Sequence, residues 1–240
     1  MALKITDDCT ACGVCVDECP NSAISEGDDI FVINPDLCTE CVGFYDSPQC
    51  QEVCPVDAII ADPAHQESQE ELLENMQKLN IEPSMVDDVF ISHNHFDHTG
   101  GLSAFLHENN NVNIYLPSSF RCVHGAKQIV HNDQPEKLHE NVYTTGELEH
   151  IEQSMAISTP KGIVLVVGCS HPKMKHILDT ALQFGSIYGI IGGLHGFNEY
   201  ELFENLELIC PTHCTQHIQE IKHLYPDKYV EGGVGKVIEI

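Results

Sequence analysis

Residues 9–20 read CTACGVCVDECP, four cysteines separated by two, two and three residues and closed by a proline. Spacing this tight lets consecutive thiolates turn toward one point, which in a reducing compartment means metal ligation rather than disulfide bonding. The stretch is also half of a repeat. ITDDCTACGVCVDECPNSAIS (5–25) is echoed by INPDLCTECVGFYDSPQCQEVCPVDAII (33–60), so that Cys38 answers Cys9 and Cys54-Pro55 answers Cys19-Pro20. Each half reads as a short strand, a cysteine loop, one helical turn and a return strand.

Outward from the repeat, eight of the twelve cysteines lie in 9–54, whereas fourteen of the fifteen histidines lie from His93 onward. Two chemistries therefore occupy two segments. At 240 residues and 42% apolar content the chain can bury a sizeable core. Its 37 acidic against 11 basic residues give a net charge of -26, which repels phosphate backbones and anionic membranes, so neither nucleic acid nor membrane is expected as a partner. The opening MALKITDDCT has neither a basic nor an apolar leader region, and a cytoplasmic location is expected.

From residue 85 the pattern becomes strand, loop, helix. Strands are expected at 88–92, 111–116, 141–145, 154–158, 162–167, 186–191 and 235–240, and helices at about 101–108, 173–184, 199–206 and 215–224. Before them, ADPAHQESQEELLENMQKL (61–79) opens on turn residues and then sets Leu72, Leu73, Met76 and Leu79 on one helical face. Polar groups gather where strands end. In ISHNHFDHTGGL (91–102), His93, His95, Asp97 and His98 fall within six positions, Cys169 and His171 follow the strand at 162–167, and His195 and His213 lie beyond further apolar runs. Imidazole with carboxylate or thiolate suits zinc first, with iron or manganese as the alternatives.

The first cysteine run resembles bacterial-type ferredoxins, in which three thiolates hold one cube and the fourth reaches the other cluster. That resemblance implies two [4Fe–4S] clusters, one on Cys9, Cys12, Cys15 and Cys54 and the other on Cys38, Cys41, Cys50 and Cys19. The eight residues between Cys41 and Cys50 are similar to the ferredoxin subgroup with an enlarged loop and a helical extension. Downstream, His93-x-His95-x-Asp97-His98 is the motif of the metallo-β-lactamase-fold superfamily. The strings GCSHP, IIGGLHGF, ICPTHCTQ and EGGVGKVIEI resemble its dihydropterin ribofuranosyl-aminobenzene phosphate synthase subgroup, over roughly residues 75–240.

The fold class implied is an α+β ferredoxin-like domain followed by an αββα metallo-β-lactamase-type sandwich lacking its first strands. Domains are expected at 1–62, with a connecting helix at 63–80, and at 81–240. The resemblance puts two divalent ions in the second domain, one on His93, His95 and His171 and the other on Asp97, His98 and His213. Cys169 stands where relatives place a bridging Asp. Asp97 and His195 are the implied catalytic side chains. The implied activity is hydrolysis of a small phosphorylated or ester substrate by a metal-bound hydroxide, beside electron exchange with a redox partner protein. Against it stands a redox reading, in which the second half is an inert docking module or a non-hydrolytic redox site as in flavodiiron proteins. Those proteins carry a Glu at the position of His95 and a flavin domain that this sequence lacks.

Arg121, Lys127 and Lys173 read first as solvated surface cations and second as phosphate contacts, and Cys122, Cys210 and Cys214 are expected to be buried thiols. Because the strands that precede the histidine motif in relatives are replaced by the ferredoxin, the strand beginning at Asp88 is expected at an open edge, covered in a homodimer.

Overall fold

The computed structural model describes residues 3–35, 37–38, 41, 45, 47–62, 69–120, 123–233 and 235–240, with the side chains of 69–71 and 96 left aside. Arg121 and Cys122 lie outside the described residues. These fall into two compact units, one of Met1–Val89, Asn94–Ile114 and Arg121–Ile129, the other of Phe90–His93, Tyr115–Phe120 and Val130–Ile240.

In the first unit the repeat is visible in the backbone. Strand β1 (Leu3–Ile5) leads to helix α1 (Val14–Asp17) and β2 (Ile24–Glu26), and then β3 (Phe31–Ile33) leads to α2 (Gln49–Glu52) and β4 (Ile59–Ala61). The pairing is not within each half: β1 pairs with β4 and β2 with β3, both antiparallel, so the halves interlock. Leu3, Ala23, Ile24 and Ile59 fill a small core together with Cys15, Cys38 and Cys50. Thiols make up much of that core, as expected for a segment too short to bury many aliphatic side chains.

Helix α3 (Gln69–Lys78) follows, then a 3₁₀ turn (Pro83–Met85), α4 (Phe96–Thr99) and α5 (Leu102–Glu108). Of the apolar face expected on α3, Leu72 and Leu79 remain exposed. Leu72 nevertheless packs on the start of α5 at Gly101, where an added Cβ would lie 2.6 Å from its Cδ2. Strands β5 (Asp88–Phe90), β6 (Asn113–Pro117) and β7 (Gln128–Asn132) form a three-stranded sheet in that order, which makes β5 an end strand.

The second unit is built on a six-stranded sheet. Its members are β8 (Glu136–His139), β9 (Val142–Thr144), β10 (Met155–Thr159), β11 (Gly162–Val167), β12 (Ile187–Gly193) and β13 (Leu208–Thr212), running from edge to edge as β13-β12-β11-β10-β9-β8. The first hairpins are antiparallel, and β11, β12 and β13 are mutually parallel. Such parallel strands require crossovers, and α6 (Met174–Ala181) supplies the one from β11 to β12. Ile177, Leu178 and Ala181 of α6 and Ile221 of α7 (Ile218–Leu224) bury against Ile163, Leu165, Ile190 and Ile209. Val164, facing the other side of β11, is also buried, so this strand is covered on both faces and reads as a continuous apolar run.

Two expectations are overturned. Residues 199–206 form only a 3₁₀ turn, Tyr200–Phe203, because two apolar anchors, Phe203 and Leu206, are buried while the surrounding glutamates stay in solvent. The tail 235–240 forms no strand and pairs with nothing regular: Val237 is 82% exposed, and apolar alternation without a partner does not make a strand. Strands β7 and β8, rich in polar residues, escape a reading based on apolar runs.

Candidate metal centres

In the first unit, two cavities of about 300 and 310 Å³, measured with the solvent at their mouths, each carry four cysteines. One is lined by Cys9, Cys12, Cys15 and Cys54, the other by Cys19, Cys38, Cys41 and Cys50. The interlocked pairing explains the exchange, since it brings the last cysteine of each half to the other half's loop.

The two Cys-Pro turns are built alike. Ser22 and Asp57 adopt left-handed φ of 52° and 51°, and this turns the next amide back, so that the N–H of Ala23 donates to Cys19 Sγ and that of Ala58 to Cys54 Sγ, both at 3.3 Å. The N–H groups of Ala11 and Gln49 donate likewise to Cys9 and Cys41, at 3.4 Å each. Burial first, and then the neighbouring thiols Cys41, Cys38 and Cys19, push the Cys50 thiol up to about 12. Burial raises Cys15 and Cys41 too, with added repulsion from members of their own cavities. Four thiolates gathered in one cavity, two of each set accepting a neighbouring N–H, need a cationic core among them. That is the donor set of an iron–sulfur cube, and the residues fit it.

The second unit holds another concentration of donors, at the carboxyl ends of its parallel strands, where open α/β sheets place their ligands. Ser170, His195 and His213 follow β11, β12 and β13, and all three have left-handed φ, of 59°, 44° and 50°. Backbone held in that region by non-glycine residues gathers at functional sites. Cys169 is the hub. Its Sγ lies within 4.8 Å of donor atoms of His93 and His171, of His195 and Cys214, and of His213. The rings of His93 and His171 meet edge to face at 4.8 Å, and those of His171 and His195 lie 5.2 Å apart. His93 and Cys169 are buried, His171 and Cys214 half-buried, and His195 and His213 exposed, so the cluster has a dry floor and a wet rim.

What fixes the floor is a residue that the sequence reading passed over. Glu152 is 1% exposed, and its carboxylate accepts the N–H groups of Gly168, Cys169, Ser170 and His171 at 3.0, 3.0, 3.1 and 3.0 Å. A buried carboxylate needs such compensation, and a loop of four inward-pointing amides needs such an acceptor. The same carboxylate stands 3.9 Å from His93 Nδ1, which also meets Ser92 Oγ at 2.9 Å. Next to it, buried Gln153 donates to the carbonyls of Ile91 and Tyr115 and accepts from Asn132 and Thr144. A charged and an amide residue leading directly into an apolar strand, EQSMAIS, was the available signal. The loops also need glycine: a Cβ on Gly168 would strike Ser92 Oγ, and one on Gly193 would lie 2.8 Å from Cys214 Sγ.

The remaining motif residues are in the first unit. Asp97 and His98 sit on α4 with Oδ2 and Nε2 3.6 Å apart, and the carbonyl of His95 accepts from the His98 N–H and the Thr99 hydroxyl. Lys127 and Lys173 are exposed. Cys210 is buried, its thiol pushed up by desolvation, whereas Cys214, expected to be buried, is half-buried beside Cys169 and His195.

Comparison with known proteins gives the N-terminal part a family and the rest a fold. The model of the 4Fe–4S binding domain matches residues 2–25, and that of the metallo-β-lactamase superfamily matches residues 57–121. A ferredoxin-like protein of Haemophilus influenzae is 61% identical over 75 residues, covering 31% of this chain and 87% of its own. A 7,8-dihydropterin-6-methyl-4-(β-D-ribofuranosyl)-aminobenzene-5'-phosphate synthase of Methanocaldococcus jannaschii is 27% identical, covering 61% of this chain and 72% of its own. A solved metal-dependent hydrolase of the β-lactamase superfamily superposes with a TM-score of 0.57 at 20% identity, covering 71% of this chain and 85% of that one, which establishes the fold. No helix among the described residues is long and apolar enough to cross a membrane. Through its N-terminal third the chain belongs to the ferredoxin family, an iron–sulfur electron-transfer module that serves a redox partner, and it carries that module fused to a domain of the metallo-β-lactamase fold.

Proposed function

We propose that the ferredoxin part holds two [4Fe–4S] clusters, on Cys9, Cys12, Cys15 and Cys54 and on Cys19, Cys38, Cys41 and Cys50, and that the second domain is a metal-dependent hydrolase of small phosphorylated or ester substrates. The observation that carries the hydrolase reading is the Cys169 hub on a loop organised by Glu152, with His93 and His171 on its floor. Assignment of His95, Asp97 and His98 to the same two-ion chemistry rests on their motif, and that of His213 on its approach to Cys169 as well. Divalent ions bound there supply an acidified water and neutralise charge on a leaving oxygen. The chain's own groups do the rest. Glu152 holds the loop amides rigid, Asp97 orients the nucleophile, and exposed His195 faces substrate and exchanges a proton with it.

A redox role for the same centre is favoured by one observation, the ferredoxin itself. The end position of β5 supports a homodimer closed through that edge. The full chain, purified without oxygen and loaded with zinc or manganese, is to be assayed on p-nitrophenyl phosphate and bis-p-nitrophenyl phosphate. Hydrolysis that His93→Ala and His95→Ala abolish, with cluster absorbance intact, supports the proposal. Metal content and hydrolysis that both survive His95→Ala contradict it.

A further inference from the structure

The hub includes a second sulfur, that of Cys214, which the hydrolase reading leaves unused. Cys169, His195 and Cys214 offer two sulfurs and one imidazole nitrogen whose donor atoms all lie within 4.8 Å of one another. They come from three different strand ends, so local sequence spacing does not explain their meeting. The loops that carry them are tied. Gly193 N–H donates to Gly168 O at 3.1 Å, Leu194 N–H to Thr215 Oγ1 at 2.9 Å, and Gln216 N–H to His195 O at 2.9 Å. Gly193 lets the loops close, because a Cβ there would lie 2.3 Å from the Gly168 carbonyl oxygen and 2.8 Å from Cys214 Sγ. His195 holds a left-handed φ of 44°, at a strain that a surface histidine has no need to accept.

We infer that Cys169, His195 and Cys214 form a soft-metal position, suited to zinc, whose fourth coordination place is open to solvent, with Cys169 as the thiolate shared with His93 and His171. Two thiolates and one imidazole select zinc over magnesium or calcium, and three protein ligands with an open fourth place are the pattern of a catalytic rather than a structural zinc site. The exposed position of His195 sets the open place toward solvent. A histidine that ligates through one ring nitrogen keeps the other N–H to donate, so this role agrees with substrate contact. In a chain of net charge -26, a cation also relieves the repulsion that two adjacent thiolates would add.

The inference deepens the hydrolase reading by naming the metal class and two further ligands, and its test is separable from activity. The full chain, with its iron and sulfide complete, is to be loaded with zinc and its zinc-edge X-ray absorption measured. Sulfur neighbours at zinc are expected, and Cys214→Ser should lower the sulfur count per zinc and weaken zinc binding about 10- to 100-fold. His195→Gln, at an exposed position, should weaken binding similarly without unfolding, which keeps the test decisive if Cys214→Ser fails to fold. An all-nitrogen-and-oxygen zinc spectrum overturns the inference, and so does a sulfur count unchanged in Cys214→Ser. A Cys169–Cys214 disulfide in the oxygen-free preparation would overturn it as well. If sulfur ligation behaves as stated and no phosphoester is cleaved, the hydrolase reading fails alone.

Discussion

The two donor-rich regions reach the same end by opposite routes. In the ferredoxin part, six of the eight cavity-lining cysteines lie within two short runs, and only Cys19 and Cys54 cross over, through a strand pairing that mirrors the repeat. In the second domain, the hub draws on residues 93, 152, 169, 171, 195, 213 and 214, and its loop is shaped by a carboxylate at least 16 positions away in sequence. The first design carries its geometry in local spacing, and the second carries it in a packed sheet. The ferredoxin centre should therefore fail when a ligand is lost, and the hub should fail also when a supporting residue is lost.

The largest expected effect breaks the first region. Cys15→Ala removes a thiolate from one cavity only, and acid-labile sulfide should fall from about eight to about four per chain while zinc in the second domain is unchanged. Loss of both clusters would show that the interlocked halves behave as one centre.

Next comes the carboxylate. Glu152→Ala leaves four loop N–H groups, one buried and three half-buried, without their acceptor, and the second domain should lose about 3 kcal/mol or more in denaturant unfolding, together with its metal. Glu152→Gln keeps a single carbonyl acceptor and should cost less, about 1–2 kcal/mol, with metal affinity down about 10- to 100-fold. Wild-type affinity in Glu152→Gln would remove the organiser role and make the two regions alike.

A smaller effect is expected from Gly193→Ala, in which the new methyl presses the Gly168 carbonyl and Cys214 Sγ away. Zinc should lose sulfur neighbours with little change in far-ultraviolet circular dichroism. The least expected change is in assembly. Substituting a charged residue for Val89 in end strand β5 should shift light scattering from dimer to monomer and leave both metal centres loaded.

How far the sequence carries the fold follows the same division. β11 coincides with the apolar run 162–167 because a strand covered on both faces has no polar positions to blur it. The edge strand β8, EKLH, is charged because edges resist further pairing, and apolar patterning passes over it for that reason. Cys9, Cys12 and Cys15 are legible as a group because their spacing is local, whereas the crossing of Cys19 and Cys54 comes from the ferredoxin resemblance. Glu152 and Cys214 were not legible, since a buried carboxylate and an ordinary surface acid look alike until the amides they face are known, and Cys214 acquires neighbours only through β11 and β12. His195 was legible as a residue after a strand and two glycines, but its thiol partners were not.

The central claim is that one chain carries two separate metal chemistries, and it is tested most directly by metal and sulfide analysis of protein purified without oxygen. About eight iron and eight acid-labile sulfide per chain are predicted, with further divalent ions, up to about three, that Cys214→Ser and Glu152→Gln deplete while iron and sulfide stay constant. Zinc in place of the iron and sulfide, or divalent metal that neither variant moves, would contradict it.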